Sequence, residues 1–188
     1  MNKLDCLKRA KELLGRGKTD DIRYAALEIR MAMEAITYEK LRSYAKNIPE
    51  DELATWQPPQ AVKMLLEYDE YADESFLLYV GEETTFGQRP DKMHCMGSHQ
   101  SLGLKWLKKH YNKIGSYLHF PNSFKKSNPT TAEILEYLHI VIAEVERAAS
   151  SKILGVSLAE VYNFSCVKCE KTVTANKRRT ETTKKKSA

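Results

Sequence analysis

The sequence predicts a mainly α-helical protein: an antiparallel helical bundle with a small irregular or two-stranded insertion and a short β segment near the C-terminus. In several segments apolar residues recur every three or four positions, which is the period of an α-helix. Polar stretches rich in proline, glycine and asparagine separate these segments. Long helices joined by short polar connections favour antiparallel packing of neighbouring helices.

The first two helices are predicted over residues 4–14 and 22–41, where leucine, isoleucine, alanine and methionine recur at helical spacing. Glycines at positions 15 and 17 are expected to end the first helix. Thr19 or Asp20 is expected to cap the second, since both side chains accept a hydrogen bond from a backbone N–H group.

The middle of the chain is the least helical part. Residues 61–68 predict a short helix entered through proline. Phe76–Val80 is either a strand or a short buried segment, and residues 82–90 have the composition of a surface loop. Cys95 lies between Met93 and Met96, a composition typical of a buried apolar cluster.

Two further helices and a β segment complete the prediction. One helix begins near Leu102 and continues to Leu118, and the other covers residues 131–151, with Thr130 or Thr131 as its cap. Short strands are predicted at residues 162–166 and 172–175. The expected organisation is a helical bundle (residues 1–155), a β segment (156–176) and a basic, disordered tail (177–188).

The 188 residues have a formal net charge of +5, and this charge is unevenly distributed. The segment 166–188 contains eight basic and two acidic residues, so the rest of the chain is close to neutral. A basic terminus favours contact with a polyanion such as RNA or DNA, although a solvated tail is an equally good interpretation. The residues expected to contact nucleic acid are Lys177, Arg178, Arg179, Lys184, Lys185 and Lys186.

Three observations bear on localisation. No apolar run approaches the roughly 20 residues that a membrane span requires, and the charged N-terminus does not fit a signal peptide. The chain has four cysteines, two of them in a Cys-x-x-Cys motif, which suits a reducing compartment better than a disulfide framework. We expect a cytoplasmic protein without membrane contact.

Cys166 and Cys169 form the Cys-x-x-Cys motif, and the predicted strands flank it. This arrangement resembles a zinc ribbon that has been cut short. The resemblance implies a zinc ion with these two cysteines as ligands, whereas a structural zinc site takes four. The other ligands are expected from a second copy of the chain, from an absent C-terminal half, or from an upstream group consisting of His94, Cys95 and His99.

Residues 23–34 and 110–119 together resemble HEPN-type helical domains, and the spacing of Gly115 and His119 is the most distinctive local feature. The resemblance covers about residues 1–150. It implies a bundle that often dimerises. The family contains metal-independent ribonucleases of bacterial toxin and phage-defence systems, and also members that only bind or scaffold.

Active members of that family place an arginine a few residues before a histidine, and this chain departs from that pattern. The positions before His119 hold Asn112, Lys113 and Ile114. Metal-free RNA cleavage needs a proton-transfer group and a cation that stabilises the transition state. Lysine is a poorer substitute for the rigid donor fork of arginine. Lys113 and His119 are nevertheless the candidate catalytic pair, while a histidine at a helix end also commonly serves a packing role.

Three functions follow as alternatives. The first is a non-catalytic adaptor that binds nucleic acid or a partner protein and is built on a dimeric helical bundle. The second is a ribonuclease of HEPN type that uses Lys113 and His119 at a dimer interface. The third is a structural subunit of a larger complex. The absent arginine and the charge concentrated outside the bundle favour the first.

Overall fold

The computed structural model describes residues 2–46, 48, 53–54, 57–84, 88–119, 129–153, 161–165, 167–169 and 172–176. Five helices and two β-hairpins are found in these parts of the chain, which confirms a mainly helical fold with a two-stranded insertion. The helices are α1 (Lys3–Arg16), α2 (Thr19–Ser43), α3 (Pro58–Tyr68), α4 (Leu104–Tyr117) and α5 (Thr131–Ala149). The strands are β1 (Phe76–Val80), β2 (His94–His99), β3 (Val161–Ser165) and β4 (Thr172–Asn176).

α1 has a capping interaction at each end. The side chain of Asn2 accepts a hydrogen bond from the backbone N–H of Leu4 at 3.0 Å. Gly17 has φ 67°, a left-handed conformation that costs glycine little, and its N–H donates to the carbonyl of Leu14. The predicted end of the first helix at the glycines is therefore confirmed.

α2 follows after a connection of two residues, and its start differs from the prediction. Thr19 is the first helical residue, and Lys18 occupies the N-cap position without a side-chain hydrogen bond. The expected cap by Thr19 or Asp20 is therefore wrong. Asp20 and Asp21 lie in the first turn, where carboxylates interact favourably with the positive end of the helix dipole.

The main core lies where α1, α2, α4 and α5 pack together. α2 contacts each of the other four helices. Its apolar positions follow the helical spacing seen in the sequence. Truncating a completely buried aliphatic side chain typically costs about 2–5 kcal/mol. Fully buried side chains in this core include Ile29, Met33, Leu107, Leu138, Val141 and Val145.

Ion pairs link α1 to the helices beside it. The Arg9 guanidinium donates to both carboxylate oxygens of Glu28 on α2, each at 2.8 Å. Two further pairs reach from α1 to α2 and α5, formed by Lys3 with Glu39 and by Lys11 with Glu146. Because these pairs lie partly in solvent, each contributes modestly to stability.

α3 packs against the C-terminal end of α2 in a second, smaller core. The hydroxyl group of Tyr44 donates to a carboxylate oxygen of Asp69 at 2.7 Å, and both residues are buried. Burial and this carboxylate raise the pKa of Tyr44 well above its usual value. The predicted helix entered through proline is confirmed at Pro58.

β1 and β2 form an antiparallel hairpin with an irregularity between Leu78 and Tyr79. Gly97 has φ 138°, a conformation that favours glycine, on the opposing strand. Cys95 is exposed and Met96 is 59% exposed. The expected buried cluster around Cys95 is therefore wrong, since neighbouring residues of a strand point to opposite faces of the hairpin and both of these side chains are exposed.

α5 begins with a capping box: Thr130 accepts from the N–H of Glu133, and Glu133 accepts from the N–H of Thr130 at 2.7 Å. The predicted cap is thus confirmed at Thr130. Beyond α5, β3 pairs with β4 antiparallel, close to the predicted strand positions. Within the described residues, no helix combines the length and apolar character needed to cross a membrane. The predicted tail, residues 177–188, lies outside the described residues.

Candidate functional site

The three upstream residues considered as zinc ligands do not converge. His94 and Cys95 are exposed, whereas His99 is buried. The Nδ1 atom of His99 lies 2.9 Å from the carbonyl oxygen of Ile153, and its Nε2 atom lies 3.2 Å from Lys40 Nζ. Since a carbonyl can only accept, Nδ1 carries the proton and Nε2 accepts from the lysine. In the described parts of the chain, no three His, Cys, Asp or Glu side chains are grouped to hold a metal.

Residues 167–169, which belong to the Cys-x-x-Cys motif, form a turn between β3 and β4. Ser165 pairs with Thr172 at the end of the hairpin. Cys169 is exposed in this turn, while Cys166 lies outside the described residues. A turn of this kind supplies two of the four ligands of a tetrahedral zinc site, so that further ligands are needed.

Aromatic residues surround His110 at the contact between α4 and α5. Its ring stacks on Trp106, with centroids 4.3 Å apart, and its Nδ1 atom is hydrogen bonded to the Tyr137 hydroxyl at 2.6 Å. Burial, together with the positive charges of Lys109 and Lys113, lowers the pKa of His110. Burial also raises the pKa of Tyr137 to about 12. These contacts give His110 a packing role between two helices.

Lys113 and His119, the candidate catalytic pair, lie in different surroundings. Lys113 Nζ is 3.8 Å from the centroid of the Tyr137 ring, in a cation–π contact. His119 is exposed beyond the end of α4, which terminates at Tyr117. Lys113 therefore contacts Tyr137 on α5, whereas His119 is exposed to solvent.

An arginine does contact α4, but it comes from α2. Arg30 lies over the Tyr111 ring, 3.7 Å from its centroid, and forms an ion pair with Glu34 at 3.7 Å. A Cβ atom built on Gly115 would overlap with Arg30 Nη1. Gly115 therefore leaves space for this guanidinium between the helices. The Tyr111 hydroxyl donates to Glu34 at 2.6 Å, so the Glu34 carboxylate contacts both the Arg30 guanidinium and the Tyr111 hydroxyl.

The solvent-facing side of α4 is basic along most of its length. We call Lys105, Lys108, Lys109 and Lys113 the α4 lysine row; all four are exposed, and α4 contains no acidic residue. At 100° per residue these positions fall within about 140° of the helix circumference. They extend over about 12 Å along the axis, at 1.5 Å per residue.

Sequence reasoning assigned nucleic-acid contacts to the tail and missed the α4 lysine row. The signal was available, because a helix of 14 residues with four lysines and no aspartate or glutamate is unusual in a chain with 25 acidic residues. The contact between Arg30 and Gly115 had no comparable signal, because the two residues are far apart in sequence.

Comparisons with known proteins add no identification: no family model matches the chain, and neither do curated proteins or solved structures. The resemblances to HEPN domains and to zinc ribbons therefore stay predictions. The contacts of the described residues are the basis for the function proposed below.

Proposed function

We propose that this chain is a non-catalytic, nucleic-acid-binding adaptor built on a helical bundle that forms a homodimer. The α4 lysine row is its first contact surface for phosphate groups. The basic residues from Lys177 to Lys186 are a second surface. Zinc bound through Cys166 and Cys169 would fix the turn that precedes this second surface, once further ligands complete the shell.

The observation that carries the proposal is the α4 lysine row. Duplex DNA has about one negative charge per 1.7 Å of axis, so a length of 12 Å presents about seven. Four exposed ammonium groups without an acidic neighbour on the same helix match such a surface. Lysine ammonium groups act as flexible point charges, and contacts to phosphates carry no sequence information, so binding is expected to show little sequence preference.

The surroundings of Arg30, the arginine from α2 that contacts α4, support binding over cleavage. Its guanidinium is held by Glu34 and Tyr111. A cation that stabilises a phosphorane-like transition state must instead point to the reacting phosphate. His119 is exposed, which suits a surface contact equally well.

The binding proposal is tested by fluorescence anisotropy with a 20-base-pair DNA duplex and a 20-nucleotide RNA. If all four lysines of the row neutralise phosphates, they contribute about −3.6 to the slope of log K against log salt for the duplex, in addition to any contribution from the tail. This contribution alone corresponds to a drop in affinity of about 150-fold between 50 and 200 mM salt. Substituting Lys105, Lys108 and Lys109 with glutamine is expected to make the measured slope less steep by about 2.7.

A matched control replaces three exposed lysines on other parts of the surface, Lys8, Lys46 and Lys63, with glutamine. This variant has the same net charge as the row variant and should retain most of the slope. Equal effects of the two variants would contradict a contact on α4. If binding is lost when residues 177–188 are removed but is unchanged in the row variant, the tail alone contacts the nucleic acid.

The same samples distinguish the other functions. Cleavage of the RNA that His119→Ala abolishes would establish the ribonuclease alternative and overturn the non-catalytic proposal. No affinity for either nucleic acid at 50 mM salt would overturn the nucleic-acid proposal and favour a protein partner or a structural role in a larger complex.

A groove beside the N-terminal half of α2 supports the homodimer. Tyr24 and Leu27 are 61% and 40% exposed there, and with Leu118 they line a groove of about 300 Å³. Asp20 and Arg23 border the same groove with opposite charges. In a twofold interface the same patch meets itself, so opposite charges in one patch can face each other across the axis.

Light scattering coupled to size-exclusion chromatography tests this interface. Leu27→Lys is expected to shift the mass from dimer to monomer, because it places a charge in the apolar centre of the interface. Leu4, which is 55% exposed on α1, gives the matched control Leu4→Lys. A monomeric wild type, or an unchanged dimer in the Leu27 variant, would contradict the assignment of this surface.

A further inference from the structure

A small cavity with a mainly apolar wall and several polar groups lies between α2, the end of β2 and the C-terminal end of α5. Its volume is about 20 Å³, enough for about one water-sized particle. The polar residues that line it include Lys3, Glu39, Lys40, His99 and Ser101. None of them belongs to the surfaces proposed above for nucleic acid or for a second copy of the chain.

Lys40 is the unusual member of this group, because its ammonium is buried and no carboxylate of the described residues is in contact with it. The residue is 7% exposed. Its Nζ atom contacts the neutral ring of His99 and the hydroxyl oxygen of Ser101, each at 3.2 Å. Buried charges in proteins are normally paired with an opposite charge. Asp69 and Asp73 influence Lys40 only through space.

The cavity offers hydrogen-bond donors. An ammonium has three N–H groups, and two of those on Lys40 have acceptors among the described residues. The Ser101 oxygen accepts from Lys40, which leaves its O–H free to turn toward the cavity. Thr37, by contrast, donates its hydroxyl to the Met33 carbonyl at 2.9 Å. One N–H group of Lys40 and the O–H group of Ser101 could therefore both donate to an acceptor in the cavity.

The charges at the mouth of the cavity also favour an anion. Lys3 and Glu39 form an ion pair at 2.5 Å and cancel each other. Lys40 then leaves the lining with one net positive charge while His99 is neutral. Burial lowers the pKa of Lys40 to about 8, so the amine is largely protonated at neutral pH. An anion in contact would satisfy the spare N–H donor and supply the absent counter-charge.

We propose that this cavity binds one small monovalent inorganic anion, of the size of chloride, between Lys40 Nζ and the Ser101 hydroxyl group. The anion would join α2 to the end of β2. The site is independent of the proposed nucleic-acid contact, because no lysine of the α4 lysine row lines it.

Bromide is the direct probe, since it replaces chloride and scatters X-rays anomalously. Crystals of the full chain grown without chloride and soaked in sodium bromide are expected to show a peak within hydrogen-bonding distance of Lys40 Nζ. A water molecule there, with no anomalous signal, would overturn the proposal. This measurement requires no substituted variant, so it does not depend on the folding of a mutant.

Thermal unfolding tests the same site in solution. Replacing gluconate by 150 mM chloride at constant ionic strength is expected to raise the unfolding midpoint by about 3 °C, as binding at about ten times Kd would. Ser101→Ala should reduce this rise, and the exposed control Lys63→Met should keep it. Equal rises in all three proteins would overturn the proposal. A bromide peak without any chloride effect in solution would identify an adventitious ion only, and would also overturn it.

Discussion

Gly115→Ala tests the packing of α2 on α4. We expect this substitution to lower the free energy of unfolding when Arg30 is present and to raise it when Arg30 is replaced by alanine. Alanine is about 1 kcal/mol more favourable than glycine inside a helix. In the wild-type background the new Cβ would overlap with Arg30 Nη1, so the guanidinium must move. It then loses its contact with the Tyr111 ring and a weak hydrogen bond, 3.4 Å long, to the Tyr111 carbonyl.

These losses amount to about 2 kcal/mol, with about 1–2 kcal/mol from the cation–π contact and the remainder from the hydrogen bond to a charged group. The helix gain offsets about half of this. Gly115→Ala alone should therefore lower the free energy of unfolding by about 1 kcal/mol. In the Arg30→Ala background the obstacle is absent, and the same substitution should raise it by about 1 kcal/mol.

Urea unfolding followed by circular dichroism measures all four members of this double-mutant cycle. The expected coupling energy is about 2 kcal/mol, because the two substitutions remove the same contact. A coupling below about 0.5 kcal/mol, the usual deviation for independent sites, would refute the proposed steric role of Gly115.

Three further predictions concern stability. Thr130→Ala should cost about 1 kcal/mol through loss of the helix cap, whereas Thr131→Ala, one residue later, should cost little in the same urea titration. Tyr44→Phe should cost about 2 kcal/mol, because the buried carboxylate that its hydroxyl group contacts loses a donor, while the exposed Tyr79→Phe should be neutral. Burial lowers the pKa of His99 below 6.5, so the unfolded chain binds the proton more readily. The free energy of unfolding should therefore fall as the pH drops below about 6.5, and less steeply in His99→Gln. An identical pH dependence in both proteins would contradict this assignment.

The parts of the fold that local chemistry determines were predictable from the sequence. Gly17 ends α1 in a left-handed conformation, and Thr130 begins α5 with a capping box, as their residue types indicated. The prediction was wrong at the start of α2. There Lys18 occupies the N-cap position, and first-turn carboxylates interact with the helix dipole without a side-chain cap.

The features that depend on distant contacts were not predictable. β2 has no regular alternation of apolar and polar residues, so its pairing with β1 and the exposure of Cys95 follow only from the tertiary structure. Lys40 meets His99 across 59 residues, and no local pattern marks either side chain as a partner of the other. The α4 lysine row is the opposite case, since its composition was visible and only its significance was overlooked.

The two-residue connection between α1 and α2 has a consequence for the chain as the ribosome produces it. The helices it joins are complete in sequence by Ser43, so this hairpin has all its own residues early in synthesis. Ile29 and Met33, however, belong to a core that also needs Val141 on α5. At about 5–20 residues per second, the roughly 100 residues between Ser43 and Val141 take about 5–20 s to synthesise. For that interval the nascent hairpin presents an apolar surface that a chaperone can recognise, and its release must await the last helix of the bundle.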